Sequence, residues 1–327
     1  MSESALPGEK LYAVWKVKNE MTGLPLISIF LILFGHAGLV QGADKNKISW
    51  EKVAEVFQGG LVQVKVSGPD LAEVEGRMGS ERIYFYSYGP HAFRAIVGAD
   101  VEAKPGVAKL FLRLTGRDGV QHKRELSLRI KAKAFRQESF NVPPGFDQMT
   151  AETLEEIRRE QTAFARAFAA SAPERLWDAP FVRPVPQEAS ASSFGSRRII
   201  NGTPRAPHSG TDLSAPAGTE VVAANQGRVV LVGNFFFAGG SVVLDHGGGL
   251  FTMYFHLSEF KVQDGDLVNR GDVLALSGAT GRVTGAHLHW GARLANARID
   301  PMELLTQVTA EEPPMGGRNV IPNEMEK

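Results

Sequence analysis

Apolar and polar residues alternate with a period of two in three stretches between residues 60 and 140. The alternating apolar positions are Val62, Val64 and Val66, then Leu110, Leu112 and Leu114, then Leu126, Leu128 and Ile130. A period of two gives a strand one buried and one solvated face. Asp118-Gly119, between the last two stretches, is typical of a hairpin turn. We therefore predict a small antiparallel β-sandwich of roughly eighty residues.

The period becomes helical from residue 150 to about residue 171. The apolar stripe of this helix consists of Leu154, Ile157, Phe164 and Phe168. Thr150 suits the N-cap position and Glu152 the first turn. After the helix, Pro180, Pro184, Pro186 and the serine-rich stretch 190–193 indicate a linker.

From Phe194 onward the pattern again indicates short strands. We predict them at Glu220–Ala224, Arg228–Val232, Ser241–Asp245, Phe251–His256, Asp272–Ser277 and His287–Leu294. Glycine clusters separate these runs and no long helical period interrupts them, which indicates an all-β sandwich or barrel. Beyond Leu305 the chain is polar and rich in Pro and Gly, and we predict a disordered tail.

An uncharged segment near the N-terminus predicts export. Residues 21–43 contain no charged residue, and Leu24–Phe34 is a compact apolar run, too short to span a bilayer alone. Such a run fits the h-region of a secretory signal, and Gln41-Gly42-Ala43 resembles a cleavage site. A buried core helix is the alternative, but the run has no amphipathic period. Cleavage and retention as a membrane anchor through residues 22–40 both stay open, and we expect an exported protein.

Composition excludes several classes of function. Lys+Arg and Asp+Glu each number 36, so the chain has no net charge to attract it to nucleic acid. Cysteine is absent, which excludes disulfides, thiolate metal sites and a cysteine nucleophile.

Two short segments concentrate metal-binding side chains. His208 and Asp212 lie four residues apart, His287 and His289 flank one residue, and the whole chain has eight histidines. A catalytic zinc needs three protein ligands and an open position for water, and these segments supply enough donors. On a strand, His287 and His289 would point to the same face. The alternative is a set of separate polar residues, which explains any single histidine better than it explains the joint pattern.

Together these motifs resemble those of the lysostaphin-type (LytM-like) zinc metallopeptidases. That family carries a His-x-x-x-Asp motif followed by His-x-His, and the resemblance covers Phe194 to about Leu305. Further matching segments are Phe194-Gly195 with Arg197-Arg198, Ser209–Asp212, Ala215–Thr219, Tyr254–Leu257 and Gly278–Gly281. The resemblance implies that His208, Asp212 and His289 bind Zn²⁺. It also implies that His287 and His256 are catalytic, with their division of roles open.

The resemblance completes a mostly β architecture in five segments. We predict a signal peptide or anchor at 1–43, an N-terminal β domain at 44–148 and a helix with linker at 149–190. A metallopeptidase domain of the duplicated hybrid motif type follows at 191–308, with a disordered tail at 309–327. The segment Val262–Ala275 also resembles the turn of biotinyl and lipoyl carrier domains, but it offers no lysine for modification, so we interpret it as shared sandwich architecture.

The implied function is hydrolysis of peptidoglycan cross-links, at the bond between D-alanine and meso-diaminopimelate or, alternatively, in glycyl bridges. A second hypothesis is a non-catalytic relative that binds and activates a cell wall amidase. The N-terminal β domain would either bind the wall or cover the zinc cleft, and other wall partners are unknown.

Several polar residues near these motifs receive simpler interpretations. Arg282, just before His287, is a candidate for gripping a substrate carboxylate. We interpret Asp245-His246 as a turn pair, and Asp300-Pro301 as the end of a strand or a short closing turn. Arg197, Arg198 and Arg205 are interpreted as solvated charges, and His36, His91 and His122 have no partner pattern.

Overall fold

The computed structural model describes residues 41–43, 49–51, 53–141, 143, 149–186 and 193–308. The predicted apolar h-region, residues 187–192 of the predicted linker and the predicted tail at 309–327 lie outside these residues. Within the described ranges, no helix combines the length and the apolar character needed to cross a bilayer.

The N-terminal region is built from two five-stranded sheets of described strands. One sheet has the order β1-β2-β4-β8-β7 and the other β3-β10-β9-β5-β6, with bounds β1 Gln41–Ala43, β2 Ser49–Glu51, β3 Val53–Phe57, β4 Leu61–Ser67, β5 Leu71–Met78, β6 Glu81–Tyr84, β7 Tyr86–Gly89, β8 Ala92–Gly98, β9 Gly106–Gly116 and β10 Gln121–Lys131. The predicted alternation is confirmed in β9, where Leu110, Leu112 and Leu114 are all buried. The β9–β10 hairpin turns at Asp118 and Gly119, as predicted.

Two strands depart from the antiparallel prediction, since β3 and β11, Gln137–Phe140, both form parallel pairs. β3 runs parallel to β10, with Val53 opposite Ser127. The chain leaves β3 at Phe57, turns through Gly59 at φ +74°, and enters β4 in the opposite sheet. A hairpin forces antiparallel pairing only between the strands that it joins, and β3 instead crosses the sandwich.

The predicted helix is α1, Ala151–Ala169. Its N-cap is Thr150, whose Oγ1 accepts the Thr153 N–H at 3.1 Å, as the capping pattern predicts. In the described residues 170–186 that follow α1, the chain forms neither helix nor strand, in keeping with its prolines. It is nonetheless buried, because Trp177, Phe181 and Val185 each keep 4% or less of their surface exposed.

The C-terminal region is a nine-stranded sheet preceded by a small three-stranded one, counted over the described residues. The small sheet contains β11 Gln137–Phe140, β12 Arg197–Ile200 and β13 Thr203–Pro204. The large sheet contains β14 Gly210–Leu213, β15 Glu220–Val222, β16 Gly227–Phe235, β17 Gly239–Asp245, β18 Leu250–Phe260, β19 Leu267–Val268, β20 Val273–Ser277, β21 Leu288–Leu294 and β22 Ala297–Ile299. All six strands predicted beyond Phe194 are present.

A single buried cluster joins the two β regions. Leu61 and Ile96 of the sandwich belong to the same core as Leu250 and Trp290 of the large sheet. At the edge of this junction Arg298 donates two hydrogen bonds to the Asp100 carboxylate, at 2.7 and 2.9 Å. The chain then closes with α2, Met302–Gln307. The predicted mostly β fold with one connecting helix is confirmed, and the predicted domain boundaries stay a prediction.

Candidate metal centre

Strand register brings two of the candidate residues together. β14 and β21 pair antiparallel, with Asp212 directly opposite His289. Directly opposed side chains lie on the same side of a sheet. His208 lies just before β14, where its N–H donates to Ser196 O at 2.9 Å and its carbonyl accepts the Gly195 N–H at 2.8 Å. The main chain thus holds all three residues at one end of these strands.

The donor atoms of these three residues converge. His208 Nε2 lies 2.9 Å from His289 Nδ1, and Asp212 Oδ1 lies 3.2 and 3.0 Å from those two nitrogens. One ligand atom from each residue lies within 4.8 Å of the others. The Asp212 and His208 side chains keep 35% and 22% of their surface exposed, so the described residues leave the cluster open to solvent.

Ser193 supports two of the three donor residues. Its carbonyl faces His208 Nδ1 at 3.1 Å, and its Oγ accepts the Asp212 N–H at 2.9 Å. A carbonyl only accepts, so His208 Nδ1 carries the proton and Nε2 directs a lone pair into the cluster. Such outer contacts orient metal ligands. Sequence patterns assigned Ser193 to a linker, and only its position just before Phe194-Gly195 hinted at this role.

Gly210 makes room for the cluster. A Cβ at this position would lie 2.5 Å from both His289 Nε2 and Trp290 O. Because one of these contacts is main chain, no side chain fits here without displacing β21. The glycine between His208 and Asp212 is therefore a requirement of the packing around His289.

The electrostatics keep the cluster in its metal-binding ionisation state. Burial raises the pKa of Asp212, but the adjacent His208 and His289 imidazoles outweigh it and hold the pKa of this carboxyl well below its ordinary value. Burial lowers the pKa of His289, against the hydrogen bond to Asp212 that raises it. At neutral pH the site therefore offers a carboxylate and a neutral imidazole, the forms that bind cations.

The two histidines predicted to be catalytic lie beside this cluster. His287 Nε2 is 3.6 Å from Asp212 Oδ1, and the His256 and His287 rings are 4.8 Å apart. His287 immediately precedes β21 and forms an isolated bridge to Gly278, so the strand begins one residue later than predicted. The structure thus gathers all five residues singled out from the motifs, although it does not test their roles.

His256 has an unusual backbone conformation. Its φ is +65°, in the left-handed region that non-glycine residues rarely occupy. Its N–H donates to Ala238 O at 2.9 Å and its Nδ1 faces Thr280 O at 3.0 Å. Burial, together with the nearby His289, lowers the pKa of His256 to about 4. Strain of this kind persists where surrounding contacts hold it, often at functional sites.

Other polar candidates have the simpler roles that were expected or stay untested. Asp245 accepts the Gly247 N–H at 2.8 Å, and fully buried His246 hydrogen-bonds Gln226 O and Thr252, which confirms the turn pair. Arg282 is exposed in the glycine-rich loop, and its role with a carboxylate stays a prediction.

The cluster fits a zinc ion. Two imidazoles and one carboxylate are a donor set typical of catalytic zinc, with a position left open on the solvent side. The deprotonated carboxylate and the oriented His208 lone pair match this requirement, and Zn²⁺, the predicted cofactor, agrees with it. A β scaffold with such a cluster, flanked by two further histidines, is typical of metal-dependent hydrolases.

Comparison with known proteins supplies the family. Residues 206–301 match the model of peptidase family M23. A solved Pseudomonas aeruginosa structure designated peptidase M23 is 30% identical, with a TM-score of 0.60 over 77% of this chain and 95% of that chain. The chain therefore belongs to peptidase family M23, a family of metallopeptidases, and the resemblance drawn from the motifs is confirmed.

Two curated relatives match about a third of this chain. Peptidoglycan DD-endopeptidase ShyA of Vibrio cholerae is 43% identical over 114 residues, which are 35% of this chain and 26% of ShyA. DD-carboxypeptidase/endopeptidase Mpg of Neisseria meningitidis is 38% identical over 97 residues, 30% of this chain and 22% of Mpg. The matched segments thus span 26% and 22% of these relatives' lengths.

Proposed function

We propose that this chain is a zinc endopeptidase that hydrolyses the peptide cross-links of peptidoglycan. The convergence of His208, Asp212 and His289 within 4.8 Å carries the proposal, because a catalytic site needs every donor in place. The substrate class is supported by the name of ShyA, a peptidoglycan DD-endopeptidase. The three residues act as the metal ligands, and His287 and His256 act on the reacting groups.

His287 acts as the proton carrier. Zinc supplies Lewis acidity and lowers the pKa of a water from the bulk value to about 7. His287 Nδ1 faces Gly285 O at 2.9 Å, so it carries the proton and Nε2 presents a lone pair near the donors. A base at this position takes a proton from the attacking water and returns it to the leaving amine.

His256 orients the water instead of donating to the oxyanion. The Nδ1–H of His256 points to Thr280 O, and its pKa of about 4 keeps the ring neutral at pH 7. In that form Nε2 accepts a hydrogen bond but has no proton to give. His256 Nε2 therefore accepts from the nucleophilic water, while His287 moves its proton.

The bond cut and the location follow from the substrate class. We propose the D-alanyl to meso-diaminopimelate cross-link, since ShyA and ShyB, which are 43% and 40% identical to this chain over 114 and 113 residues, are named DD-endopeptidases. Glycyl bridges are the alternative. The uncharged N-terminal segment supports export to the periplasm or cell envelope, where such a substrate lies.

Mass spectrometry of muropeptides tests this function directly. Full-length protein, loaded with zinc, is incubated with cross-linked dimers that contain either linkage. We expect monomers from the D-alanyl to meso-diaminopimelate dimer only, and no product in chelator or from His208→Ala. Release of monomers that persists in chelator would contradict the proposal. A protein that never releases monomers but stimulates a cell wall amidase, with or without His208, would instead be the non-catalytic regulator.

A further inference from the structure

Helix α1 packs on the face of the large sheet that carries the metal donors. Phe255 of β18 is the register partner of His289, so the two side chains share that face. Neighbouring Tyr254 points the other way, into the main core. Phe164 and Phe168 of α1 pack in the same small cluster as Phe255. Helix α1 thus covers part of the sheet face that carries the metal donors.

One contact of α1 reaches a metal ligand through a single ring. The Phe255 ring stacks on the His289 imidazole with 5.4 Å between centroids and 5° between planes. Phe164 meets the Phe255 ring nearly edge-on, at 5.8 Å and 78°. Because the stacked ring fixes the imidazole plane, and Phe164 fixes the stacked ring, α1 restrains the direction of His289 Nδ1.

A second contact of α1 reaches the other side of the site through the main chain. Glu160 accepts the Phe236 N–H at 2.7 Å in the turn between β16 and β17. Two residues later in that turn, Ala238 O accepts the N–H of His256 at 2.9 Å. This bond supports the left-handed backbone of His256. Glu160 therefore fixes the turn that holds His256 in place.

We infer that α1 is a positioning element of the catalytic site, although it lies outside residues 206–301 that match the family. Phe164 positions the ligand His289, and Glu160 positions His256. The inference rests on the proposed zinc site, and it assigns different tasks to two residues one helical turn apart in α1. Neither residue touches the substrate or the metal.

The first test compares Phe164→Leu with Phe168→Leu in the full chain. Both substitutions keep an apolar side chain, and both remove a ring packed against the sheet. Phe168 contacts Phe251 at 5.2 Å and Phe164 at 6.1 Å, whereas Phe164 itself contacts the ring stacked on His289, so Phe168 is the matched control. Outer-shell changes weaken metal binding by about ten- to a hundredfold in other proteins. We expect about tenfold weaker zinc binding for Phe164→Leu and less than twofold for Phe168→Leu, measured by chelator competition.

A spectroscopic readout separates positioning from general destabilisation. Substitution by Co²⁺ reports coordination geometry in the visible absorption bands. We expect altered bands for Phe164→Leu and unaltered bands for Phe168→Leu, even if both variants unfold at the same lower temperature. Equal zinc affinities and identical bands for the two variants would overturn the inference. If the unaltered protein binds no zinc, the proposed function fails instead, so the two failures are distinguishable.

The second test concerns Glu160. Glu160→Ala removes the acceptor of the Phe236 N–H, whereas Glu160→Gln keeps a carbonyl oxygen there. We expect kcat to fall about fivefold for the alanine variant, the worth of one hydrogen bond, with zinc affinity unchanged and glutamine restoring most of the rate. Exposed Glu156→Ala on the same helix is the control. An alanine variant with unchanged kcat, or with a loss that glutamine does not restore, would refute the role of Glu160.

Discussion

Strands β9 and β21 show how differently the two β regions use their faces. In β9, Leu110, Leu112 and Leu114 fill the sandwich core, while Arg113 on the other face forms an exposed ion pair with Glu75 at 3.0 Å. In β21, by contrast, Leu288 and Trp290 fill one core and His289 is buried on the opposite face. Strand β9 thus has one buried and one solvent-exposed face, whereas β21 is buried on both faces.

This difference indicates which of the two β regions carries the candidate metal site. An exposed ion pair such as Arg113–Glu75 contributes little and asks for no further partner. A buried histidine, here 7% exposed, needs hydrogen-bond partners for its polar atoms. His289 Nδ1 meets Asp212 Oδ1 and His208 Nε2, and the same arrangement offers donor atoms to a metal ion. The large sheet therefore carries the candidate metal site, whereas the outer face of β9 carries exposed charges.

The largest expected effect is the loss of cooperative folding when the C-terminal region is produced without the chain that precedes it. We expect residues 193–308 alone not to fold cooperatively, because the fragment lacks Trp177, Phe181 and Val185, which fill its core. Each buried side chain of this kind is worth about 1.5–3 kcal/mol, against a total stability of about 5–15 kcal/mol. Thermal unfolding followed by near-UV circular dichroism checks this. A fragment with the midpoint of the full chain would show that the regions are independent.

Core truncation in the sandwich should change stability without changing the metal site. Leu112 is 3% exposed in β9, so Leu112→Ala should lower the free energy of unfolding by about 3 kcal/mol. Denaturant titration measures this loss, and chelator competition on the folded protein should give the zinc affinity of the unaltered chain. A weaker zinc affinity would mean that the sandwich shapes the site as well as supporting it.

Addition of one methyl group beside the metal site should change the zinc affinity, the quantity that Leu112→Ala should leave unchanged. The Cβ of Gly210→Ala would lie 2.5 Å from His289 Nε2, so we expect zinc affinity to fall about a hundredfold. Gly89→Ala in β7 is the matched control, because its Cβ would meet only Ala92 Cβ at 3.8 Å. Calorimetric zinc titration of both variants checks this. Similar zinc affinities for the two variants would contradict the assignment of Gly210 to the metal site.

The smallest expected effect is a pH dependence from His246. Burial lowers its pKa from the ordinary 6.5 to about 4 in the folded protein. As pH falls below 6.5 the unfolded chain binds a proton that the folded protein does not, so stability is complete above pH 6.5 and declines toward pH 4. Between pH 6 and pH 4.5, protonation of His246 in the unfolded chain lowers the free energy of unfolding by about 2 kcal/mol.

His246→Gln isolates that contribution. Unfolding free energies of the metal-free proteins are measured by urea titration at pH 4.5, 5, 5.5 and 6. As pH falls, the free energy of unfolding of the glutamine variant should decline less steeply than that of the unaltered chain. The difference in slope should correspond to about one proton. Parallel curves would mean that His246 does not resist protonation in the folded state.

The local patterns predicted much of the scaffold because their causes are local. Alternation in β9, the turn at Gly119 and the Thr150 cap each depend on a few neighbouring residues, and each is confirmed. The motif spacing also picked out the residues that meet at the metal centre. A His-x-His on a strand and a nearby Asp need only one strand pairing to converge.

The remainder depends on contacts between distant segments, which composition does not reveal. Pro-rich and Ser-rich stretches look like linkers, yet Trp177 fills the core and Ser193 orients His208. The parallel pairing of β3 results from a crossing between sheets. The left-handed backbone of His256 is held by Ala238 and Thr280, from two other segments.

A crystal structure of the full chain loaded with zinc tests the central claim most directly. Anomalous scattering at the zinc edge should show one peak per chain, about 2.0–2.2 Å from His208 Nε2, Asp212 Oδ1 and His289 Nδ1. His287 and His256 should face the open side of that peak without binding it. A zinc ion bound elsewhere, or one that engages only one of the three donors, would contradict the account.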